Sequence, residues 1–225
     1  MNRLMIIGHR GARGLAPENT LAALKAGLDH GVDMIEFDLR VSADDVVILN
    51  HDPHVHAPDG HRLEISANTY EDLKTAKTDL TTFDEALDYL AGKVSLYIEV
   101  KPGVATEPLV KILQQRFDKG LSKKEVLLGS FSQKTLRQLH AALPDIEKIV
   151  IEKWSGVRAA RRARQLNAKI IAMNQRWLWS GYVKAATRHY TLYTYTLNNP
   201  AKADKWAARG LSAVVTDYPD RFSSS

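Results

Sequence analysis

The chain has 225 residues, 44% apolar and 25% charged, with 31 basic against 26 acidic side chains for a formal charge of +5. This composition excludes a disordered or fibrous chain, and the length suits one β/α barrel over residues 1–225 better than two domains. With no cysteine, disulfides, thiolate nucleophiles and Cys-ligated zinc are excluded, which leaves oxygen or imidazole ligands for any metal.

The first apolar run, residues 4–7, is too short for a secretory core, and no later stretch approaches the ~18 apolar residues of a membrane span. A cytoplasmic protein without an integral membrane segment is expected. His9-Arg10-Gly11 ends that first strand, and a helix follows over 20–29 with Asn19-Thr20 taken as its caps. The next strand, 34–38, carries Glu36-Phe37-Asp38, and another spans 46–49. The link between them is too short for a crossover helix, and Ser42-Ala43-Asp44-Asp45 has turn composition. An antiparallel hairpin is therefore expected, folded so that Glu36 lies roughly opposite His51.

Residues 53–80 form a polar excursion whose His54, His56 and His61 are expected on the surface. A helix starts near Thr82, a strand at 95–100 leads into Glu99-Val100-Lys101, and helices are expected at 106–117, 133–142 and 200–208. Further strands fall at 126–128, 148–151, 169–172, 191–195 and 213–215. The cluster Arg158, Arg161, Arg162 and Arg164 is expected to be the solvated face of one helix; with no aromatic interleaving it argues against a nucleic-acid partner. The nine strand candidates exceed an eight-stranded TIM-type barrel by one, and the grafted hairpin accounts for the surplus.

Several of these strand ends carry chemistry. Period-two alternation puts Glu36 and Asp38 on one strand face, and Glu99 and Lys101 share a face of another. Carboxylates converging inside a barrel mouth repel one another unless they hold a cation, and an oxygen-only set suits Mg2+ or Ca2+. The plain alternative is a Glu99–Lys101 salt bridge. Arg10 offers a planar fork suited to phosphate, and His9 and His51 titrate where acid–base work at neutral pH is done.

The ordered series His9-Arg10-Gly11, Pro17-Glu18-Asn19-Thr20, Glu36-x-Asp38, His51-Asp52 and Glu99-x-Lys101 resembles the glycerophosphodiester phosphodiesterase family. The resemblance continues through Gly129-Ser130-Phe131, Tyr195-Thr196-Leu197-Asn198 and Thr216-Asp217-Tyr218-Pro219. It implies a metal-dependent hydrolase that releases glycerol 3-phosphate and an alcohol, an activity of glycerol and lipid metabolism. Glu36, Asp38 and Glu99 would match the metal ligands, His9 and His51 the acid and base in either order, and Arg10 and Lys101 the phosphate-contacting cations.

Two departures stand out. The stretch from His51 to Phe83 is shorter than the family's usual insertion and lacks its arginine and paired threonines, and Tyr195 stands where a tryptophan is usual. Tyr195 keeps an aromatic wall for a glycerol moiety. Trp177 and Trp179 either extend that wall or sit exposed beside the mouth, and Trp177 is taken as the substrate contact. The partner expected is a small glycerophosphodiester. The rival expectations are a lysophospholipase D-type activity on lipids at the same site and a non-catalytic phosphodiester-binding barrel; the sequence leaves the oligomeric state open.

Overall fold

A computed structural model of the protein describes residues 3–222. In chain order it contains β1 Met5–Gly8, α1 Leu21–Asp29, β2 Met34–Val41, β3 Val47–Leu49, β4 His54–His56, β5 Arg62–Glu64, α2 Tyr70–Ala76 and α3 Phe83–Leu90. There follow β6 Ser95–Val100, α4 Glu107–Asp118, β7 Val126–Ser130, α5 Gln133–Ala142, β8 Glu147–Glu152 and α6 Gly156–Leu166. The last elements are β9 Ile170–Asn174, α7 Ser180–Ala186, β10 Thr191–Tyr195, α8 Pro200–Ala207 and β11 Ala213–Thr216. Most helices open on side-chain caps, such as Thr20 on α1 and the reciprocal Thr82–Glu85 box on α3.

Eight parallel strands, β1, β2 and β6 through β11, close into a barrel because β1 pairs with both β2 and β11. The expected TIM-type barrel is therefore present. Its strands are buried on both faces. Outward residues such as Ile35, Phe37, Leu39, Leu96 and Ile98 pack against the helices, and inward residues including Ile7, Met34, Tyr97, Ile149, Ile151 and Tyr193 fill the interior. Each large apolar side chain so buried contributes ~1.5–3 kcal/mol relative to exposure.

The ninth strand of the sheet is β3, antiparallel to β2 about a turn at Ser42 to Asp45. Its register differs from expectation. Leu39 faces Leu49 and Val41 faces Val47, while the Asn50 amide donates to the Asp38 carbonyl at 3.1 Å. His51 lies past the end of the ladder, and Glu36 pairs with Tyr97 of β6 instead. β1 and the loop after it already take that edge of β2, pairing Gly8 with Ile35 and donating the Gly11 amide to the Glu36 carbonyl at 3.0 Å, so β3 pairs only beyond it.

Residues 53–80 hold more structure than their weak periodicity suggested. The β4–β5 hairpin and α2 bury Val55, Ile65, Leu73 and Leu80 in a small satellite core with Ile48. His56 and His61 are exposed there and His54 half-buried. Arg162 also departs from the expected solvated face. It is buried, its guanidinium donating to the carbonyls of Ile151 at 2.9 Å and Ser130 at 3.2 Å, with Glu152 at 3.5 Å. In α6 the residues Ala159, Arg162, Ala163 and Leu166 form the stripe that faces the barrel. Among the described residues no helix is long and apolar enough to cross a membrane.

Candidate active site

At the carboxyl ends of β2 and β6, alternation turns Glu36, Asp38, Glu99 and the following Lys101 inward. Glu36, Asp38 and Glu99 are buried, and each offers a ligand oxygen within 4.8 Å of the others. They are the metal-type cluster among the described residues, and their all-oxygen donor set fits a hard divalent cation. Lys101 Nζ bridges two of them, 2.6 Å from Asp38 Oδ1 and 2.5 Å from Glu99 Oε1.

Arg10 supplies the second positive charge. Its Nε lies 3.3 Å from Asp38 Oδ2, yet it is buried without a hydrogen bond, and Nη1 donates to Glu18 at 2.6 Å. Its main-chain amide donates to Glu36 Oε2 at 2.9 Å. The loop that carries it needs Gly11, whose φ is +85° and where a Cβ would meet the α1 backbone 2.4 Å away.

Three carboxylates thus face two cations in a buried space, and they titrate apart. Burial, then Asp38 and Glu99, push the Glu36 carboxyl well above the ordinary range. Burial and Asp38 lift Glu99 to about 7 against the pull of Lys101. Burial also pushes Asp38 up, but Lys101 and Arg10 outweigh it and hold that carboxyl at about 2. Three carboxylates against two cations leave the set short of positive charge, and burial makes that shortage costly.

Asp38 is fixed by a residue first taken for a cap. Asn19 is buried, donates Nδ2 to Asp38 Oδ2 at 2.9 Å and accepts from the Asp38 amide at 3.1 Å. Thr20 alone caps α1, so the capping assignment of Asn19 is corrected.

Each histidine has its own carboxylate. His9 Nδ1 lies 2.6 Å from Asp217 Oδ1, and Asn198 donates to Asp217 Oδ2 at 2.8 Å. Burial lowers the His9 pKa, with the Asp217 bond opposing. His51 Nδ1 lies 2.8 Å from Asp52 in a more open setting. Burial and the charge of Lys101 lower its pKa, which places it within electrostatic reach of the cluster. Arg40 positions His51 by donating Nε and Nη2 to its carbonyl at 3.0 and 2.7 Å.

Asp217 and Arg40 carried no sequence signal of such roles. Asp217 appeared only within Thr216-Asp217-Tyr218-Pro219, and Arg40 continues the inward period of Glu36 and Asp38.

The two aromatic candidates sit at the mouth's far side. Tyr195 ends β10, stacks edge-on against Phe131 at 5.9 Å and donates its hydroxyl to the Glu152 carbonyl at 2.9 Å; burial and the charge of Glu99 raise its pKa. Trp177 is 45% exposed and meets Trp154 edge-on at 5.9 Å.

Known proteins resemble the chain over nearly its whole length. The glycerophosphoryl diester phosphodiesterase family model matches residues 9–221. YhdW of Bacillus subtilis (strain 168) is 27% identical over 239 residues, with 96% of each chain covered. A glycerophosphodiester phosphodiesterase of the same strain is 26% identical over 252 residues, covering 98% of this chain and 86% of its own. An Oleispira antarctica phosphodiesterase, solved in complex with the product sn-glycerol-3-phosphate, superposes with a TM-score of 0.86 at 25% identity, covering 96% of this chain and 94% of that one.

Proposed function

The chain belongs to the glycerophosphoryl diester phosphodiesterase family and is a phosphoric diester hydrolase, and from that premise we propose that it splits glycerophosphodiesters into glycerol 3-phosphate and an alcohol by metal-assisted acid–base chemistry. The observation that carries the reading is the convergence of Glu36, Asp38 and Glu99 within 4.8 Å beside Lys101 and Arg10.

In this reading Glu36, Asp38 and Glu99 hold Mg2+ or Ca2+, which when bound supplies positive charge to the phosphoryl oxygens. Arg10 and Lys101 bind the same oxygens from the protein side, and their charge matters most as the five-coordinate transition state gathers negative charge. His9, neutral and with Nδ1 committed to Asp217, presents Nε2 as the base. It takes the proton from the attacking oxygen: a water gives glycerol 3-phosphate directly, whereas the substrate's own glycerol hydroxyl gives a cyclic glycerol phosphate that a second attack, by water, opens to glycerol 3-phosphate. As that oxygen bonds to phosphorus, the bond from phosphorus to the alcohol oxygen breaks. His51, nearer solvent, returns a proton to the departing alkoxide once it is protonated; with both imidazoles lowered and both Nδ1 atoms held by aspartates, the two roles are interchangeable. Tyr195 and Trp177 flank the substrate as an aromatic wall.

The direct test is hydrolysis of glycerophosphocholine after chelation and after return of Mg2+ or Ca2+. Metal-stimulated release of glycerol 3-phosphate, abolished in Glu36→Ala and His51→Ala proteins of unchanged circular dichroism, is the expected result. If no soluble glycerophosphodiester tested is turned over under any metal, the reading fails.

A further inference from the structure

The large apolar side chains that remain exposed are not scattered over the surface. Among the described residues they are Leu15, Leu21, Trp154, Val157, Trp177 and Trp179, and every one lies on the loops or helix starts that follow β1, β8 and β9. All therefore share the carboxyl-end face that holds the candidate site. Three of the chain's four tryptophans are among them, exposed by 56% at Trp154, 45% at Trp177 and 66% at Trp179.

The densest part joins the ends of β8 and β9. Trp154 meets Trp177 edge-on at 5.9 Å, Trp179 starts α7, and Val157 projects from the first turn of α6 with 82% of its surface exposed. From Val157 the apolar surface runs into a groove of about 510 Å³ between α6 and α7, lined also by Ala160, Tyr182 and Tyr190. A clustered apolar rim of this kind calls for a partner.

The charge around it selects the partner. Residues 152–164 and 174–184 contain one acidic side chain, Glu152, which is buried and paired with Arg158. The exposed charges on the same segments are Lys153, Arg158, Arg161, Arg164, Arg176 and Lys184, all positive. Lys153 Nζ lies 4.8 Å over the Trp154 ring. Indole rings with cations beside them match the headgroup layer of a bilayer, where the ring enters the interface and the cation meets lipid phosphate.

We propose that this rim docks the protein onto an anionic phospholipid surface. Docking there turns the mouth toward the headgroups, so that, resting on the phosphodiesterase reading above, lipid-borne glycerophosphodiesters reach the site without leaving the interface.

Co-sedimentation of the full chain with phosphatidylcholine vesicles, with and without phosphatidylglycerol, tests it. The expected results are binding to the mixed vesicles, weakened by salt, and a loss of roughly fivefold or more in the Val157→Ser, Trp179→Ser double variant. That variant should hydrolyse soluble glycerophosphocholine like the parent, since neither side chain touches the carboxylates, cations or histidines. Vesicle binding by a protein inactive on every soluble diester would sink the activity reading and leave the docking surface standing. Absence of binding to the mixed vesicles, or equal binding by parent and variant, overturns the proposal. So does a dimer in sedimentation velocity that the double variant dissolves, because the rim would then belong to a second copy.

Discussion

Glu99 shows how the site's charge imbalance should appear in stability. Its carboxyl is lifted to about 7 by burial and by Asp38, so between the unfolded value near 4.5 and 7 the native state holds a proton that the unfolded chain has lost. Native binding of extra protons makes stability fall as pH rises through that window, with the full penalty above 7. Glu99→Gln should therefore leave the metal-stripped protein about as stable as the parent at about pH 4 and ~3 kcal/mol more stable at about pH 8. Urea denaturation at both pH values measures this, and an equal offset at the two would show that Glu99 titrates normally. Added Mg2+ or Ca2+ should reverse the order, stabilising the parent more than the variant. Asp217 bears on catalysis instead. Asp217→Asn keeps the size and an acceptor but loses the charge against His9 Nδ1, and kcat should drop ~10²-fold or more with KM and Tm nearly unchanged. The charged residues themselves were legible from period-two spacing, as in Glu36-x-Asp38 and Glu99-x-Lys101. Their holders were not: Asn19 reaches Asp38 across 19 positions and Asp217 reaches His9 across 208, contacts made by barrel closure and absent from local pattern.

At the scale of elements, the β2–β3 hairpin is what brings a second imidazole to the barrel mouth. Its turn at Ser42 to Asp45 was legible from turn residues and from a link too short for a helix, but its register was not. The Asp38–Asn50 pairing is set by where the short turn closes, and His51 is placed beyond the ladder by Arg40 and by Asn50, which donates to the Asp52 and His54 carbonyls. Arg40→Leu should free the His51 loop while leaving both strands paired. The expected outcome is a kcat lowered ~10-fold, with little change in metal affinity, since a small displacement of an acid–base group is costly. A metal affinity that fell in step with kcat would show that Arg40 acts on the carboxylates instead. The secondary structure inside the excursion at 53–80 escaped detection for a different reason. The strands there are three residues each, and α2 buries Leu73 alone, too little to make a period.

Across the whole molecule, β1, β2 and β6 carry the charged site, while the opposite wall, β7 to β10, is tied together by a buried ionic knot. Arg162 of α6 reaches the carbonyl ends of β7 and β8 and the side chain of Gln133 on α5, and Glu152 takes both Arg158 and Arg162. The Glu152 carbonyl in turn receives the Tyr195 hydroxyl from β10. The alternating strand-and-helix pattern made the barrel legible, yet this knot was taken for a solvated arginine face. The spacing of Ala159, Arg162, Ala163 and Leu166 at i, i+3, i+4 and i+7 was the signal that Arg162 belongs to the buried stripe. Arg162→Met would fill the stem's space but leave the Ser130 and Ile151 carbonyls without its guanidinium, with Glu152 still held by Arg158. Two buried acceptors left unsatisfied cost ~1–3 kcal/mol each, which for a chain of this size lowers Tm by ~10 °C. Because no atom of the knot touches the carboxylates, kcat per folded molecule should stay at the parent value well below Tm. Thermal melts together with turnover at about 15 °C separate the two effects. A kcat that falls in a fully folded variant would mean that this wall sets the geometry of the mouth as well as the stability of the barrel.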